Sequence, residues 1–143
     1  MQRQTLEVYL RPTRGAPGVR PPADTILRRM HALGATPLSL YSWIIANADS
    51  LLLTRQQLVA FQTAQMELRL RSDSTDRALA NELANLPADY KPDVVIARMS
   101  EARGLVFNNS RNGSNALIGR LLTKIQYQLI PVFMRFGIPV PAR

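Results

Sequence analysis

The chain has 143 residues, of which 46% are apolar, and a formal net charge of +8. A chain of this length and composition can bury one ordinary core, which excludes wholesale disorder, and no window approaches the apolar run of about 18 residues that a membrane span needs. Cysteine is absent, which excludes disulfides, thiolate metal sites and a cysteine nucleophile.

The first 22 residues are predicted to form an extended arm and a linker. Residues 4–10 alternate, with Leu6, Val8 and Leu10 on one side, which is typical of a strand or an extended coil. No later segment alternates as well, so such a strand has no partner within the chain. The segment 11–22 contains four prolines and two glycines and is predicted to be a linker. The expected division is therefore arm and linker 1–22, helical domain 23–137 and tail 138–143.

Two short helices are predicted next. Asp24 is positioned to cap the first and Gly34 to end it. Thr36 and Pro37 are a cap and a first helical residue for the second. The apolar run that follows spans about two turns and is expected in the core, with contact to a partner as the alternative; it contains Tyr41, Trp43, Ile44 and Ile45.

A long helix is predicted from Thr54 to about Leu86, because no glycine or proline interrupts it before Pro87. The turn that follows places Pro92 at the start of a return helix. The polar stretch 108–114 is expected to be a loop, or a weak point of that helix. Gly119 is expected to end the return helix; the alternative is a single helix over residues 115–129, with Thr123 in its middle and capping nothing.

The sequence Leu-Thr-x-x-Gln occurs twice, at residues 53–57 and again 69 residues later at 122–126. Its spacing predicts a capping box, in which the threonine hydroxyl accepts from the backbone N–H three residues on and the glutamine reaches back to the threonine N–H. The preceding leucine can pack against the fourth helical residue. The residues expected to act as structural caps are Leu53, Thr54, Gln57, Leu122, Thr123 and Gln126.

After the second box, Pro131 should kink or restart the helix because it lacks an N–H and clashes with the preceding turn. The residues around this proline, 130–136, are mostly apolar. Candidate partner-binding residues are the aromatic and apolar side chains together with the arginines of the linker: Tyr41, Trp43, Ile44, Phe133, Phe136, Arg11, Arg14 and Arg20.

Catalytic chemistry is not predicted. The chain has a single histidine, His31, and no glycine-rich phosphate loop, metal-ligand motif or nucleophile elbow. The acid pairs at 73/76 and 89/93 are interpreted as solvated faces or first-turn acids. We therefore expect no enzyme activity, no cofactor and no metal.

The paired Leu-Thr-x-x-Gln motifs in a cysteine-free helical chain resemble the Spy/CpxP family of bacterial periplasmic proteins, over about residues 36–137. The resemblance implies an all-α fold built as an extended helical hairpin with short flanking helices. It also implies a periplasmic or envelope location, a chaperone-like function without ATP, polypeptide clients and a homodimer. The six motif residues carry over as structural caps, whereas one histidine cannot reproduce the metal sensing of some members.

Two differences between this sequence and the Spy/CpxP family leave other functions possible. Met1 is not followed by the apolar region of a signal peptide, and the arm and linker are foreign to the family. Both would fit a structural subunit of a membrane-associated assembly, or a helical extension similar to those that follow the barrel of some TonB-dependent receptors, with 4–10 as the last strand.

The distribution of charge leaves a further alternative. Residues 1–35 carry +4, residues 36–87 carry −1 and residues 88–143 carry +5. Basic ends suit anionic partners, including a membrane surface or nucleic acid. The nucleic-acid alternative is disfavoured because the arginines are scattered and no known DNA- or RNA-binding motif is present.

Overall fold

Every regular element is helical in the computed structural model, which describes residues 2–33 and 40–143. The elements in these ranges are α1 (Arg3–Leu10), α2 (Ala23–Leu33), α3 (Leu40–Ala46), α4 (Arg55–Ala84), α5 (Pro92–Leu121), α6 (Lys124–Leu129) and a 3₁₀ turn (Val132–Met134). The predicted all-α class is confirmed. None of the helices in the described ranges is long and apolar enough to cross a membrane.

The predicted strand at residues 4–10 is wrong, because this segment forms helix α1. Leu6 and Tyr9 are both buried, and their three-residue spacing is helical. The alternation of Leu6, Val8 and Leu10 favoured a strand, although Leu6 and Tyr9 also have helical spacing. Arg29 of α2 holds the end of α1, since its Nη1 donates to the carbonyls of Tyr9 (3.1 Å) and Arg11 (2.5 Å).

Helix α2 begins at Ala23, so Asp24 lies within the first turn. The cap position is Pro22, so the predicted place of Asp24 as the cap is wrong by two positions, although a first-turn carboxylate still complements the helix dipole. The predicted helix end at Gly34 and the predicted start at Thr36 and Pro37 lie outside the described residues.

Helices α4 and α5 are each 30 residues long and are joined by a short turn. The predicted continuity of α4 and the predicted start of α5 at Pro92 are confirmed. Helix α5 also runs unbroken through residues 108–114, so of the two alternatives the loop is wrong and the stretch belongs to the return helix. No proline interrupts this stretch, and Ser114 is buried within it.

The contacts of the chain divide it into two compact units. Unit 1 comprises residues 1–36 and 71–106, and unit 2 comprises residues 37–70 and 107–143. Each long helix therefore contributes one half to each unit. The arm, domain and tail expected from the sequence remain a prediction about domain boundaries.

Unit 1 packs α1 and α2 with the second half of α4 and the first half of α5. Its core contains Leu6, Tyr9, Ile26, Leu27, Met30, Leu79, Ala80, Leu83 and Met99. Glu82 pairs with Arg98 and Asp76 with Arg103, a register that makes the two long helices antiparallel within this unit.

Unit 2 packs α3, the first half of α4, the second half of α5, α6 and the C-terminal segment. Its core contains Tyr41, Ile44, Leu51, Phe61, Ala64, Leu68, Ile118, Leu122, Ile130 and Ile138. Tyr41 and Phe61 form a tilted aromatic pair with ring centroids 6.1 Å apart.

Gly119 does not end α5, which continues to Leu121, so that prediction is wrong. A Cβ atom at Gly119 would stand 2.9 Å from the carbonyl oxygen of Pro139. The glycine therefore allows the C-terminal segment to approach the helix closely. The predicted break at Pro131 is confirmed, since α6 ends at Leu129 and a 3₁₀ turn begins at Val132.

Candidate functional site

Both Leu-Thr-x-x-Gln motifs begin a helix. At α4 the Gln57 backbone N–H donates to Thr54 Oγ1 at 3.1 Å, and the Thr54 N–H donates to Gln57 Oε1 at 2.9 Å. At α6 the Gln126 N–H donates to Thr123 Oγ1 at 3.3 Å, and the Thr123 N–H donates to Gln126 Oε1 at 2.9 Å. These four bonds satisfy helix-start N–H groups that have no partner inside the helix.

The two capping boxes also bind each other. The Gln57 side-chain amide donates to Gln126 Oε1, and the Gln126 amide donates to Gln57 Oε1, both at 2.9 Å. The remaining amide hydrogens are directed to backbone carbonyls: Gln57 donates to Leu121 at 2.8 Å and Gln126 to Leu52 at 3.0 Å. Each acceptor lies five residues before the opposite glutamine, so the arrangement has local two-fold symmetry.

Every hydrogen-bonding position of the two amides is used in this arrangement. A glutamine amide offers two donors and one oxygen that can accept twice. Each oxygen accepts from a threonine N–H and from the other amide, while each nitrogen donates to the other amide and to a carbonyl. Gln126 is only 6% exposed, so its amide would be costly to leave unpaired. This network holds no ionisable group and supplies no nucleophile; its role is to hold the start of α4 against the start of α6.

The backbone before the first box has an unusual conformation. Leu52 adopts a φ of +57°, the only positive φ at a non-glycine residue in the described ranges. This left-handed conformation costs a leucine roughly 1–2 kcal/mol. It belongs to the residue whose carbonyl accepts from Gln126, while the leucine side chain itself is exposed.

The leucines of the two motifs belong to the core of unit 2. Leu122 is buried, and Leu53 packs against the same cluster. Tyr127, the fourth residue of the second helix start, packs there as well. These contacts are those expected of a structural motif.

The predicted partner-binding residues around α3 lie mainly in the core. Tyr41 and Ile44 are buried, and Trp43 is half-buried against the same cluster. The core placement that the sequence favoured is therefore confirmed for Tyr41 and Ile44.

The predicted residues at the C-terminal end are strongly exposed. Phe133 is 83% and Phe136 is 80% exposed, and Val132 beside them is 76% exposed. The guanidinium of Arg111, from α5, lies 6.0 Å from the centre of the Phe136 ring. The structure thus joins a basic residue of α5 to this aromatic end, a contact that the sequence did not indicate.

The three linker arginines differ from one another. Arg11 and Arg14 are exposed. Arg20 is half-buried, donates to the Leu86 carbonyl and lies 5.5 Å from the centre of the Tyr90 ring. Arg20 therefore fastens the linker to the turn between α4 and α5.

Sequence reasoning missed a second apolar stripe on α4. Val59, Met66 and Leu70 are 52%, 65% and 65% exposed. Their spacings of seven and four residues place them on one helix face. The pattern was visible in the sequence, but another apolar stripe of helical spacing, Leu58, Phe61, Ala64 and Leu68, accounted for the helix without it, and the last three of these residues are buried.

Charged side chains cluster in unit 1. Arg98 donates two hydrogen bonds to Glu82, at 2.6 and 2.8 Å, and these lower the pKa of the Glu82 carboxyl. Arg3 donates to Asp93 at 2.8 and 3.0 Å and lowers the pKa of that carboxyl. Within the described ranges, no three His, Cys, Asp or Glu side chains are grouped so that they could hold a metal ion.

His31 and the predicted acid pair at 73/76 meet in this cluster. His31 Nε2 lies 3.7 Å from an oxygen of Asp73 and 3.8 Å from one of Asp76. Arg77 pairs with Asp73 at 2.7 Å, and Arg103 pairs with Asp76 at 3.3 Å. Both acids therefore already have a basic partner.

Comparison with known proteins found no match for this chain among family models, curated proteins or solved structures.

Proposed function

We propose that this protein is a non-enzymatic helical module that binds apolar segments of non-native polypeptides, a chaperone-like function of the kind that the Spy/CpxP resemblance implies. The observation that carries the proposal is the exposed stripe on α4 formed by Val59, Met66 and Leu70. Three aliphatic side chains on the solvent-facing side of one helix form a surface available to an apolar partner.

The dimensions of the stripe suit a short extended segment. From Val59 to Leu70 the helix rises about 16 Å, at 1.5 Å per residue. An extended chain covers that distance with about five residues. Met66 stands between the two branched side chains, and its flexible thioether can adapt to different partners. A stripe of this kind supports binding of varied sequences.

The paired capping boxes support the proposal by fixing the position of this helix. Gln57 lies two residues before Val59 and is bonded to both Leu121 and Gln126. A surface that is already ordered loses less conformational entropy on binding. The motif residues thus contribute to binding by preorganisation and do not contact the client.

The periplasmic or envelope location and the homodimer belong to this same proposal, since they rest on the family resemblance. The main alternative, a subunit or extension of a membrane-associated assembly, was suggested by the basic linker, by the apolar run at 41–45 and by an unpaired strand at 4–10. That segment is a helix, with Leu6 and Tyr9 buried in unit 1. The polypeptide-binding proposal is therefore the better supported of the two.

Suppression of aggregation tests the proposal. The full chain should slow the light scattering of a thermally unfolding client protein at low salt. The double variant Met66→Ser, Leu70→Ser should lose most of this effect, because it removes two of the three exposed aliphatic side chains. The matched control, Val94→Ser with Leu105→Ser, changes side chains on α5 that are 63% and 58% exposed and should retain it.

Circular dichroism should show the same helix content in both double variants. Equal loss in both variants, or no suppression by the unaltered chain, would refute client binding by the α4 stripe. A chain that orders only with a co-purifying subunit would instead support the assembly alternative.

A further inference from the structure

The C-terminal aromatic loop, defined as residues 131–137, is a second exposed apolar surface. Val132, Phe133 and Phe136 are each more than three-quarters exposed. Val140 follows in the tail and is 67% exposed. A cluster of large exposed side chains at one chain end is a marker of an interaction site.

The loop holds these side chains outward because both of its ends are anchored. Ile130 is fully buried before the loop and Ile138 is 5% exposed after it. Between them, the Met134 N–H donates to the Pro131 carbonyl at 2.9 Å and the Arg135 N–H to the Val132 carbonyl at 3.1 Å. Gly137 completes the reversal with a φ of +83°. The aromatic side chains therefore project from an internally bonded turn.

Arg135 strengthens the turn further. Its Nε donates to the Ile130 carbonyl at 2.7 Å and its Nη2 to the Gln128 carbonyl at 2.6 Å. Its guanidinium also lies 5.2 Å from the centre of the Tyr127 ring. The positive charge of Arg135 is thereby fixed within the loop.

The C-terminal part of the chain carries charge of one sign. Residues 107–143 contain five basic residues and no acidic residue. Arg111 contacts Phe136, and the Lys124 N–H bonds to the Arg143 carbonyl, which brings the chain end to the start of α6. Ile125, beside Lys124, is another exposed apolar residue, at 68%. Apolar side chains are thus interspersed with positive charge.

We infer that the aromatic loop docks on an anionic lipid bilayer surface, with Phe133 and Phe136 entering the interface and the surrounding basic residues facing lipid phosphates. Apolar side chains combined with Lys and Arg are the composition of interfacial membrane anchors. Each basic residue near an anionic surface strengthens binding by about fivefold, and each buried aromatic ring by about tenfold or more.

Charge complementarity decides between a bilayer and a second copy of the chain. If two copies met through the aromatic loop, Arg111 and Arg135 of one copy would lie close to the same residues of the other, and residues 107–143 contain no acidic residue to pair them. Juxtaposed like charges disfavour such an interface. An anionic bilayer, in contrast, supplies the missing negative charge and an apolar layer together.

Vesicle co-sedimentation tests the inference. The full chain should bind vesicles of phosphatidylcholine mixed with phosphatidylglycerol and should bind pure phosphatidylcholine at least about tenfold less. Phe133→Ser with Phe136→Ser should weaken binding to the anionic vesicles by about a hundredfold, because two rings are removed. The control Val94→Ser, an exposed apolar change in unit 1, should leave binding unchanged.

A charge pair of variants completes the test. Arg111→Gln should weaken binding by about fivefold, whereas Arg69→Gln, an exposed change on α4, should have a smaller effect. Raising the salt concentration should weaken binding because it screens the surface charges.

Three outcomes would overturn the inference: no binding to anionic vesicles, equal binding to both vesicle types, or a concentration-dependent dimer that the double Phe variant abolishes. Preferential binding of an acidic polypeptide over anionic vesicles would also overturn it. The inference is independent of client binding, because the α4 variants leave the aromatic loop unchanged and the loop variants leave the α4 stripe unchanged.

Discussion

The two units stabilise similar helices by different polar interactions. Every ion pair found among residues 2–33 and 40–143 joins two residues of unit 1. Unit 2 has no ion pair among those residues, and two of its helices are joined instead by the paired amides of Gln57 and Gln126. The ion pairs are at least partly exposed, whereas the Gln126 amide is buried. The stability of unit 1 should therefore depend more strongly on pH and salt than that of unit 2, whereas unit 2 should be sensitive to substitution at the buried amide of Gln126.

The largest effect is expected from Gln126→Glu in unit 2. The substitution removes both amide donors and places a carboxylate beside the Leu52 carbonyl and the Gln57 oxygen. An unpaired buried charge should lower the free energy of unfolding at pH 7 by about 3 kcal/mol. The loss should shrink at low pH, where the carboxyl becomes protonated and neutral.

Urea denaturation at pH 7 and at low pH measures this effect. Gln56→Glu, at an exposed neighbouring position, provides the control and should change stability little. If both variants were equally stable at pH 7, the paired amides would not stabilise unit 2 as described.

An intermediate effect is expected from Gly119→Ala in α5. The new Cβ would lie 2.9 Å from the Pro139 carbonyl oxygen and 3.0 Å from its Cδ. Overpacking of this kind costs about 1–3 kcal/mol. The matched control is Gly113→Ala on the same helix, where the new Cβ would meet nothing within 4 Å. This substitution should stabilise the helix by about 0.5–1 kcal/mol, because alanine has the higher helix propensity.

Thermal unfolding of the two glycine variants should therefore shift in opposite directions. A rise in Tm for both variants would show that the C-terminal segment does not press on α5 at Gly119.

The smallest effect is expected in unit 1, from Glu82→Gln. The folded-state pKa of Glu82 is lowered by its bonds from Arg98, so the pair stabilises the fold above the unfolded pKa of about 4.3. This contribution is lost as pH falls through the lowered pKa. Both side chains are partly exposed, at 43% and 64%, and solvent screening keeps the effect below about 1 kcal/mol.

Urea midpoints measured from pH 7 down to about pH 3 test this prediction. The difference between Glu82→Gln and the unaltered chain should disappear at the acidic end and in high salt. Glu67→Gln is the control in unit 2, because Glu67 has no ion-pair partner among the described residues. An equal pH dependence for both variants would contradict the contrast between the units.

Local signals in the sequence predicted the helix boundaries best. The starts of α4 and α6 follow from threonine and glutamine three residues apart, and the start of α5 follows from Pro92. These features act within one turn of helix, so a linear pattern is sufficient to reveal them.

Where two local patterns competed, the sequence was misleading. Leu6, Val8 and Leu10 alternate, yet Leu6 and Tyr9 also have helical spacing, and burial against α2 decides between the two. Gly119 resembles a helix end, but its function depends on Pro139, twenty residues further along the chain. Tertiary packing determined both outcomes.

The candidate surfaces were predicted only in part. The exposed Phe133 and Phe136 were identified from their apolar surroundings, but their contact with Arg111 depends on the path of the C-terminal segment. The pairing of Gln57 with Gln126 also could not be predicted from the sequence, because each motif is complete as a helix cap on its own. Nothing in a single capping box indicates that its glutamine has donors left to share.

The amide pair also has a kinetic consequence. Gln57 and Gln126 are 69 residues apart, and the chain between them contains most of α4, the turn and the whole of α5. A contact of such high sequence separation carries a large loop-closure cost, and we expect it to be absent from the folding transition state. The pair should therefore act mainly on the unfolding rate, prolonging the lifetime of the native state while leaving the speed of folding almost unchanged.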